Sequence, residues 1–221
     1  MSADDIRFDH DREDRIGIAE AVFAEGKTTS QLAAIIDDHI DREGRLLLTR
    51  LSAEAFDALP PATSAAIDFD PLSRTGVVGA PPTPGPARVA IVTAGTVDLP
   101  PAREAARTLA FHGHGSTPFV DIGVAGLWRL LERKDEIAAH PIVLAFAGME
   151  GALFSVLAGL VPGLVIAVPT GNGYGVSTGG RTALDSALAS CAPGVVVCNI
   201  DNGYGAATAA IRVLNAGQSL H

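Results

Sequence analysis

Four short segments of this 221-residue chain carry residue types and spacings suited to chemistry. Gly148-Met149-Glu150-Gly151 sets one carboxylate between two glycines, where an apolar run gives way to helical periodicity. A carboxylate so placed suits proton transfer or the orienting of an amide or carboxyl group, and the glycines let a ligand approach the backbone closely. The same placement also serves plain helix-dipole stabilisation. Gly95-Thr96-Val97-Asp98-Leu99-Pro100 puts Asp98 at an N-cap position and Pro100 in a first helical turn. Such a turn leaves backbone N–H groups and the Thr96 hydroxyl facing outward, either as a seat for a phosphate or as an ordinary capped turn. Gly171-Asn-Gly-Tyr174-Gly175 and Asn202-Gly-Tyr204-Gly205 hold both tyrosines of the chain. An aromatic ring among glycines suits closure over a planar ligand, or simply turn chemistry.

The cysteines and histidines narrow the options. Cys191 follows Ser190 at a predicted helix end, where exposure and packing are both open readings. Cys198 lies inside the apolar run 195–200 and reads as a small buried hydrophobe. Two cysteines cannot form a disulfide framework, so a reducing, cytoplasmic location is expected. No CxxC and no Cys/His/Asp cluster has metal-ligand spacing, so no protein-held metal is expected. His112 and His114 flank Gly113 at a helix end, away from the strand-end loops, and read as solvent-facing side chains. No Walker motif or GxGxxG follows the first strand of the larger unit, and no GxSxG follows a strand, which disfavours the usual dinucleotide fold and a Ser–His–Asp hydrolase.

The elements that must position these residues are legible in the apolar pattern. Val89–Thr93, a run ending at Phe119-Val120, Ile142–Ala147, Leu164–Val168 and Val195–Ile200 are apolar without alternation, the mark of parallel strands buried on both faces. Helical stretches separate them: 99–112, 127–138, 148–160, 182–189 and 206–214. The expected fold over 88–221 is therefore a three-layer α/β sandwich on a parallel five-stranded sheet. In that fold ligands bind outside the carboxyl ends of the strands, which is where the polar and glycine-rich segments fall. Residues 1–59 read as a small α+β unit, with a capping box at Thr28 and Gln31, a helix ending at Gly44 as its C′ residue, and a short strand at 46–49. Residues 60–87 hold seven of the 14 prolines and read as a stiff linker.

Charge and composition exclude other classes. The net charge of −9 argues against nucleic-acid and anionic-membrane surfaces. The acidity sits in residues 1–60, with 14 acidic and 7 basic side chains, against 11 and 9 in the remainder. The larger unit is thus nearly neutral and compatible with an anionic substrate. No run reaches the ~20 apolar residues of a membrane span, and the charged first 20 residues carry no secretory signal.

Taken together, the loops resemble a known family. Thr-Ala-Gly-Thr-Val-Asp-Leu-Pro (93–100), Asp-Ile-Gly-Val-Ala-Gly-Leu-Trp-Arg (121–129), Ala-Gly-Met-Glu-Gly-Ala-Leu (147–153), Val-Pro-Thr…Gly-Tyr-Gly (168–175), Ser-Cys-Ala (190–192) and Asn-Ile-Asp-Asn-Gly-Tyr-Gly-Ala (199–206) are similar to the LarB family of nickel-pincer cofactor biosynthesis proteins. Glu-Gly-Lys-Thr (25–28) and Leu-Thr-Arg (48–50) extend the resemblance to the front unit, so it covers residues 13–214. Residues 88–214 more distantly resemble the PurE class of aminoimidazole ribonucleotide carboxylases and mutases, which implies a flavodoxin-like sheet. Ala19, Val97, Phe154 and Gly171-Asn172 depart from the family pattern. Val97 replaces a serine, removing a hydroxyl from the 95–98 turn.

The resemblance implies carboxylation of nicotinic acid adenine dinucleotide at pyridinium C5 with bicarbonate or CO2. Hydrolysis of the phosphoanhydride then gives pyridinium-3,5-biscarboxylic acid mononucleotide and AMP. It implies Cys191 as nucleophile and Glu150 in substrate orientation or proton transfer. Thr96 and Asp98 would hold the phosphoribosyl part, with Arg129, Tyr174, Asp201 and Asn202 as further substrate contacts. It implies no prosthetic group, compatibility with Mg2+ carried on the substrate phosphates, and a homo-oligomer between dimer and octamer. Two other readings stand beside it: a PurE-like carboxylase or mutase of aminoimidazole ribonucleotide, and a non-catalytic adenylate-binding module.

Overall fold

A computed structural model of the chain describes residues 8–218. They divide into two compact units: one runs to Thr83 and includes Phe111–Gly113, and the other comprises Pro84–Ala110 and the chain from His114 onward.

In the first unit, helix α1 (Arg12–Ile16) leads to β1 (Ala21–Phe23), α2 (Thr29–Asp41), β2 (Leu46–Thr49), α3 (Ala53–Asp57), α4 (Pro61–Ala65), β3 (Ile67–Asp70) and β4 (Thr75–Val78). The strands form one sheet in the order β1-β2-β4-β3, parallel between β1 and β2 and antiparallel elsewhere. Leu32 and Ile36 of α2 bury their side chains against Leu46 and Leu48 of β2. The expected capping box is present: Gln31 N–H donates to Thr28 Oγ1, and Thr28 N–H donates to Gln31 Oε1.

Two expectations need correction here. The linker expected over 60–87 does not start at 60, because residues 61–78 supply α4, β3 and β4 and complete the first sheet. Pro60 and Pro61 sit at the N-cap and first position of α4, where a missing N–H costs nothing, and Pro71 lies in the β3–β4 turn. The connecting segment without regular structure is residues 79–86, between β4 and the next strand. The C′ residue of α2 is Glu43 rather than Gly44. Glu43 takes the left-handed conformation at φ 52°, and Glu43 N–H and Gly44 N–H donate to Ile40 O and His39 O. That is the paired bonding of a Schellman ending, shifted by one residue.

The second unit is the expected α/β sandwich. Its strands are β5 (Ala87–Thr93), β6 (Gly115–Phe119), β7 (Ile142–Ala147), β8 (Leu164–Pro169) and β9 (Val195–Val197). Its helices are α5 (Leu99–Phe111), α6 (Leu127–Ala138), α7 (Ala152–Leu160), α8 (Arg181–Leu188) and α9 (Gly203–Gln218). All neighbouring strands are parallel, in the order β6-β5-β7-β8-β9. Relabelled within the unit this is 2-1-3-4-5, the flavodoxin-like winding. Alternate strand residues Ala90, Val92, Val143, Ala145, Val165 and Ala167 join Leu130 of α6, Leu153, Phe154 and Leu157 of α7, and Ala183 of α8 in one core. Val89, Ile91, Leu144, Phe146, Ile166 and Val168 are buried toward the opposite face, the side of α5 and α9. The last strand is shorter than its apolar run, and α9 starts three residues before its expected beginning.

No helix among the described residues is long and apolar enough to cross a membrane.

Candidate functional site

The winding places the switch point between β5 and β7, and the chain leaves both strands into glycine-bearing loops. A cleft of about 370 Å³ opens there, within the ~300–1,000 Å³ of small-molecule sites. Its walls come from four successive strand ends: Ala94, Gly95, Val97 and Asp98 after β5; Gly123–Ala125 and Arg129 after β6; Ala147–Leu153 after β7; and Asn172 after β8.

Each wall has a local cause. After β5 the chain enters a 3₁₀ turn, Thr96–Asp98, that runs straight into α5, with Pro100 and Pro101 in its first turn. Asp98 is not a helix N-cap, as the sequence suggested. Its buried carboxylate turns back and accepts the Gly95 N–H at 2.9 Å, the Thr170 hydroxyl at 2.6 Å and the Asn172 side-chain amide at 3.3 Å. Asp98 therefore pins the turn to the β8 loop, and Thr96 and Val97 are left exposed at the cleft rim.

After β6, Asp121 adopts φ 59° and receives the Arg129 guanidinium at 2.6 Å. Arg129 is only part-exposed and lines the cleft, so it supplies a fixed positive charge there. After β7, Met149 adopts φ 51°, Glu150 stands exposed on the cleft wall, and Gly151 (φ 64°) turns the chain into α7. Gly148 is required by contact: a Cβ there would lie 1.9 Å from the Asn172 carbonyl oxygen. Asp201, beyond β9, is a third left-handed non-glycine residue at φ 53°. Strain of this kind costs about 1–3 kcal/mol per residue and gathers at functional sites; three of the six cases lie beyond strands of this sheet.

The structure brings together Asp98, Arg129 and Glu150, with Thr96 in the rim turn. It does not bring the other expected residues into the cleft lining. Tyr174 is 77% exposed on the loop after β8. Asp201 accepts the Gly171 N–H at 3.0 Å and supports the base of that loop. Asn202 Oδ1 accepts the Gly205 N–H and caps α9, and the Tyr204 N–H at that helix end donates to the buried Glu104 of α5. Cys191 is exposed on the connection from α8 to β9, outside the cleft lining. Its loop is held by Ser190, whose hydroxyl bonds Ser155 of α7 at 2.7 Å and accepts the Ala192 N–H at 3.2 Å. Ser155 lies one turn into α7, whose first residues line the cleft. Cys198 is part-buried, and burial pushes its thiol pKa up.

Asp121, Thr170 and Asn172 lie in the loop motifs of the family resemblance, but their bonding roles were not legible there: each is a lone polar residue one to three positions beyond a strand end. Among the described residues no group of three or more His, Cys, Asp or Glu side chains is arranged to hold a metal ion.

Comparison with known proteins bears on this geometry. Residues 2–80 match the LarB/PurE-like N-terminal domain. Over 211 residues the chain is 32% identical to MJ0165, an uncharacterized protein of Methanocaldococcus jannaschii, covering 91% of this chain and 80% of that relative. With an all-parallel 2-1-3-4-5 sheet behind that front domain, the chain belongs to the LarB/PurE-like family, and this membership supports a carboxylase-type enzyme.

Proposed function

We propose that the chain carboxylates the pyridinium C5 of nicotinic acid adenine dinucleotide and hydrolyses its phosphoanhydride. The products are pyridinium-3,5-biscarboxylic acid mononucleotide and AMP. The observation that carries the reading is the cleft itself: the 95–98 turn with Thr96 and Val97 exposed, a guanidinium held at Arg129 and an exposed carboxylate at Glu150 share one wall system. An anionic nucleotide, a carboxylated ring and a proton acceptor are the three things this reaction must accommodate.

The chemistry follows from the ring. A pyridinium is electron-poor, so C5 cannot attack CO2 directly. The Cys191 thiolate adds to C4, its lone pair forming the C–S bond while the ring π electrons neutralise the nitrogen. The resulting enamine is nucleophilic at C5, which attacks CO2 and forms the C–C bond. A base, assigned here to Glu150, takes the C5 proton, and the C4–S bond breaks to return thiolate and pyridinium. Water cleaves the phosphoanhydride in a separate step. Cys191 lies outside the cleft lining, but it is exposed and its loop is tied through Ser190 and Ser155 to α7, whose first residues line the cleft; this supports its role as nucleophile. Aminoimidazole ribonucleotide, the substrate of the PurE reading, already has an enamine-like carbon and needs no thiol.

The test is incubation with nicotinic acid adenine dinucleotide and bicarbonate, with and without EDTA, followed by mass spectrometry. AMP and a dicarboxylated mononucleotide are expected. Folded protein that yields neither, while turning over aminoimidazole ribonucleotide, would replace this reading by the PurE-like one. Adenylate binding without any turnover would leave a binding module.

A further inference from the structure

We propose that Asn172 is the positioning residue of this cleft, a latch that sets the spacing between the 95–98 turn and Glu150. The inference rests on the reading of the cleft given above, but its contacts are independent of the substrate. The Asn172 side-chain amide donates to the Val97 carbonyl at 2.7 Å and to Asp98 Oδ1 at 3.3 Å. Its backbone carbonyl accepts the Met149 N–H at 3.1 Å, one residue before Glu150. One residue of the β8 loop thus bonds both the loop after β5 and the loop after β7.

The neighbouring residues are shaped around this latch. Gly148 leaves room for the Asn172 carbonyl, as a Cβ would stand 1.9 Å from it. Thr170, two residues back, donates to the same Asp98 oxygen that Asn172 reaches. Val97 has no polar side chain, so the turn is held by Asp98 from within and by Asn172 through the Val97 carbonyl. The bond to the Val97 carbonyl is exposed and the bond to Asp98 half-buried, and together they tie the turn to the β8 loop in preference to water. A displacement of about 1 Å between phosphate seat and proton acceptor costs on the order of 100-fold in rate.

The test uses the full-length chain and three variants. Asn172→Ala removes both donors, and kcat/KM for nicotinic acid adenine dinucleotide is expected to fall about 10- to 100-fold. The turn loses its tie to residue 172 while Met149 N–H keeps its bond to the 172 carbonyl, so the seat shifts relative to the base and the fall should be shared between KM and kcat. Asn172→Asp puts a carboxylate beside Asp98, in a cleft whose other charged groups are Glu150 and Arg129. Protonation of the new pair restores a donor, so Asn172→Asp should regain activity relative to wild type as pH falls. Asn172→Gln, which keeps the amide, should lie between wild type and Asn172→Ala. A second readout needs no turnover: hydrogen exchange at 95–98 should rise in Asn172→Ala, while 148–151, where Met149 N–H keeps its bond to the residue-172 carbonyl, and the interior of β5 are unchanged. Exchange unchanged at 95–98, or kcat/KM within twofold of wild type across pH in Asn172→Ala and Asn172→Asp, would overturn the latch. A wild type without turnover, combined with the rise in exchange at 95–98, would sink the reaction and leave the latch standing.

Discussion

The two cysteines show how far environment, rather than residue type, decides chemistry. Cys191 is exposed on a loop held by the Ser155–Ser190 hydroxyl pair, whereas burial raises the pKa of Cys198 and lowers its thiolate fraction. Iodoacetamide at neutral pH should therefore label Cys191 well before Cys198, as peptide mass spectrometry can check; equal labelling would place the reactive thiol wrongly. In the carboxylation assay Cys191→Ala should abolish the dicarboxylated product and Cys198→Ala should spare it. Carboxylation that survives Cys191→Ala would refute the thiolate route. Glu150→Gln keeps the shape and removes the base, so a loss of about 10²- to 10⁴-fold is expected if it takes the C5 proton. At this scale the sequence was informative where a side chain has one task. Glu150, between its glycines, lines the cleft where its motif pointed. Asp98 lines it too, but its carboxylate binds Thr170 and Asn172 as well as the nearby Gly95, and bonds spanning more than 70 residues leave no local trace.

Elements were legible wherever burial is continuous and blurred wherever it is shared. The strands β5, β7 and β8 are apolar along their length because helices cover both faces, and α6 falls on its expected bounds of Leu127–Ala138. By contrast β3 and β4, Ile-Asp-Phe-Asp and Thr-Gly-Val-Val, are short and embedded among prolines, so the proline count outweighed them. Those prolines occupy helix starts and turns, where they end elements without excluding a sheet between them. The α2 ending leads to a stability prediction. Glu43 is held left-handed by the Schellman bonds, a conformation that disfavours a Cβ. Glu43→Gly should raise stability by about 0.5–1 kcal/mol, after the entropy that glycine adds to the unfolded chain, and a higher denaturation midpoint at unchanged m-value would show it. At the cleft the sign reverses. Gly148→Ala drives a methyl into the Asn172 carbonyl and should cost about 1–3 kcal/mol or displace the β8 loop. An unchanged midpoint with unchanged activity would show that the two loops are not in contact.

At the scale of the whole molecule, the two edges of the five-stranded sheet are built differently. The edge strand β6 carries Pro118, and its pairing with β5 is broken by a register shift between Ala87 and Val89. Both features discourage another strand from adding there. The other edge, β9, is Val195-Val196-Val197, with no proline, charge or bulge, and Val196 is 46% exposed. Leu188, at the end of α8 ahead of the same connection, is 66% exposed. At three residues this edge is short, but with neither proline nor charge it stays open to another strand unless something covers it. The homo-oligomer that the family resemblance implies would cover this edge by a second copy in a closed symmetric contact, and that assembly is open to test. Light scattering should then give a mass that is a multiple of 22.6 kDa at micromolar concentration. Val196→Lys, which places a charge on that edge without touching the cleft, should lower the multiple while the circular dichroism spectrum is retained. A wild type that runs as a 22.6 kDa monomer, or a Val196→Lys variant with undiminished mass, would show that β9 is not the contact.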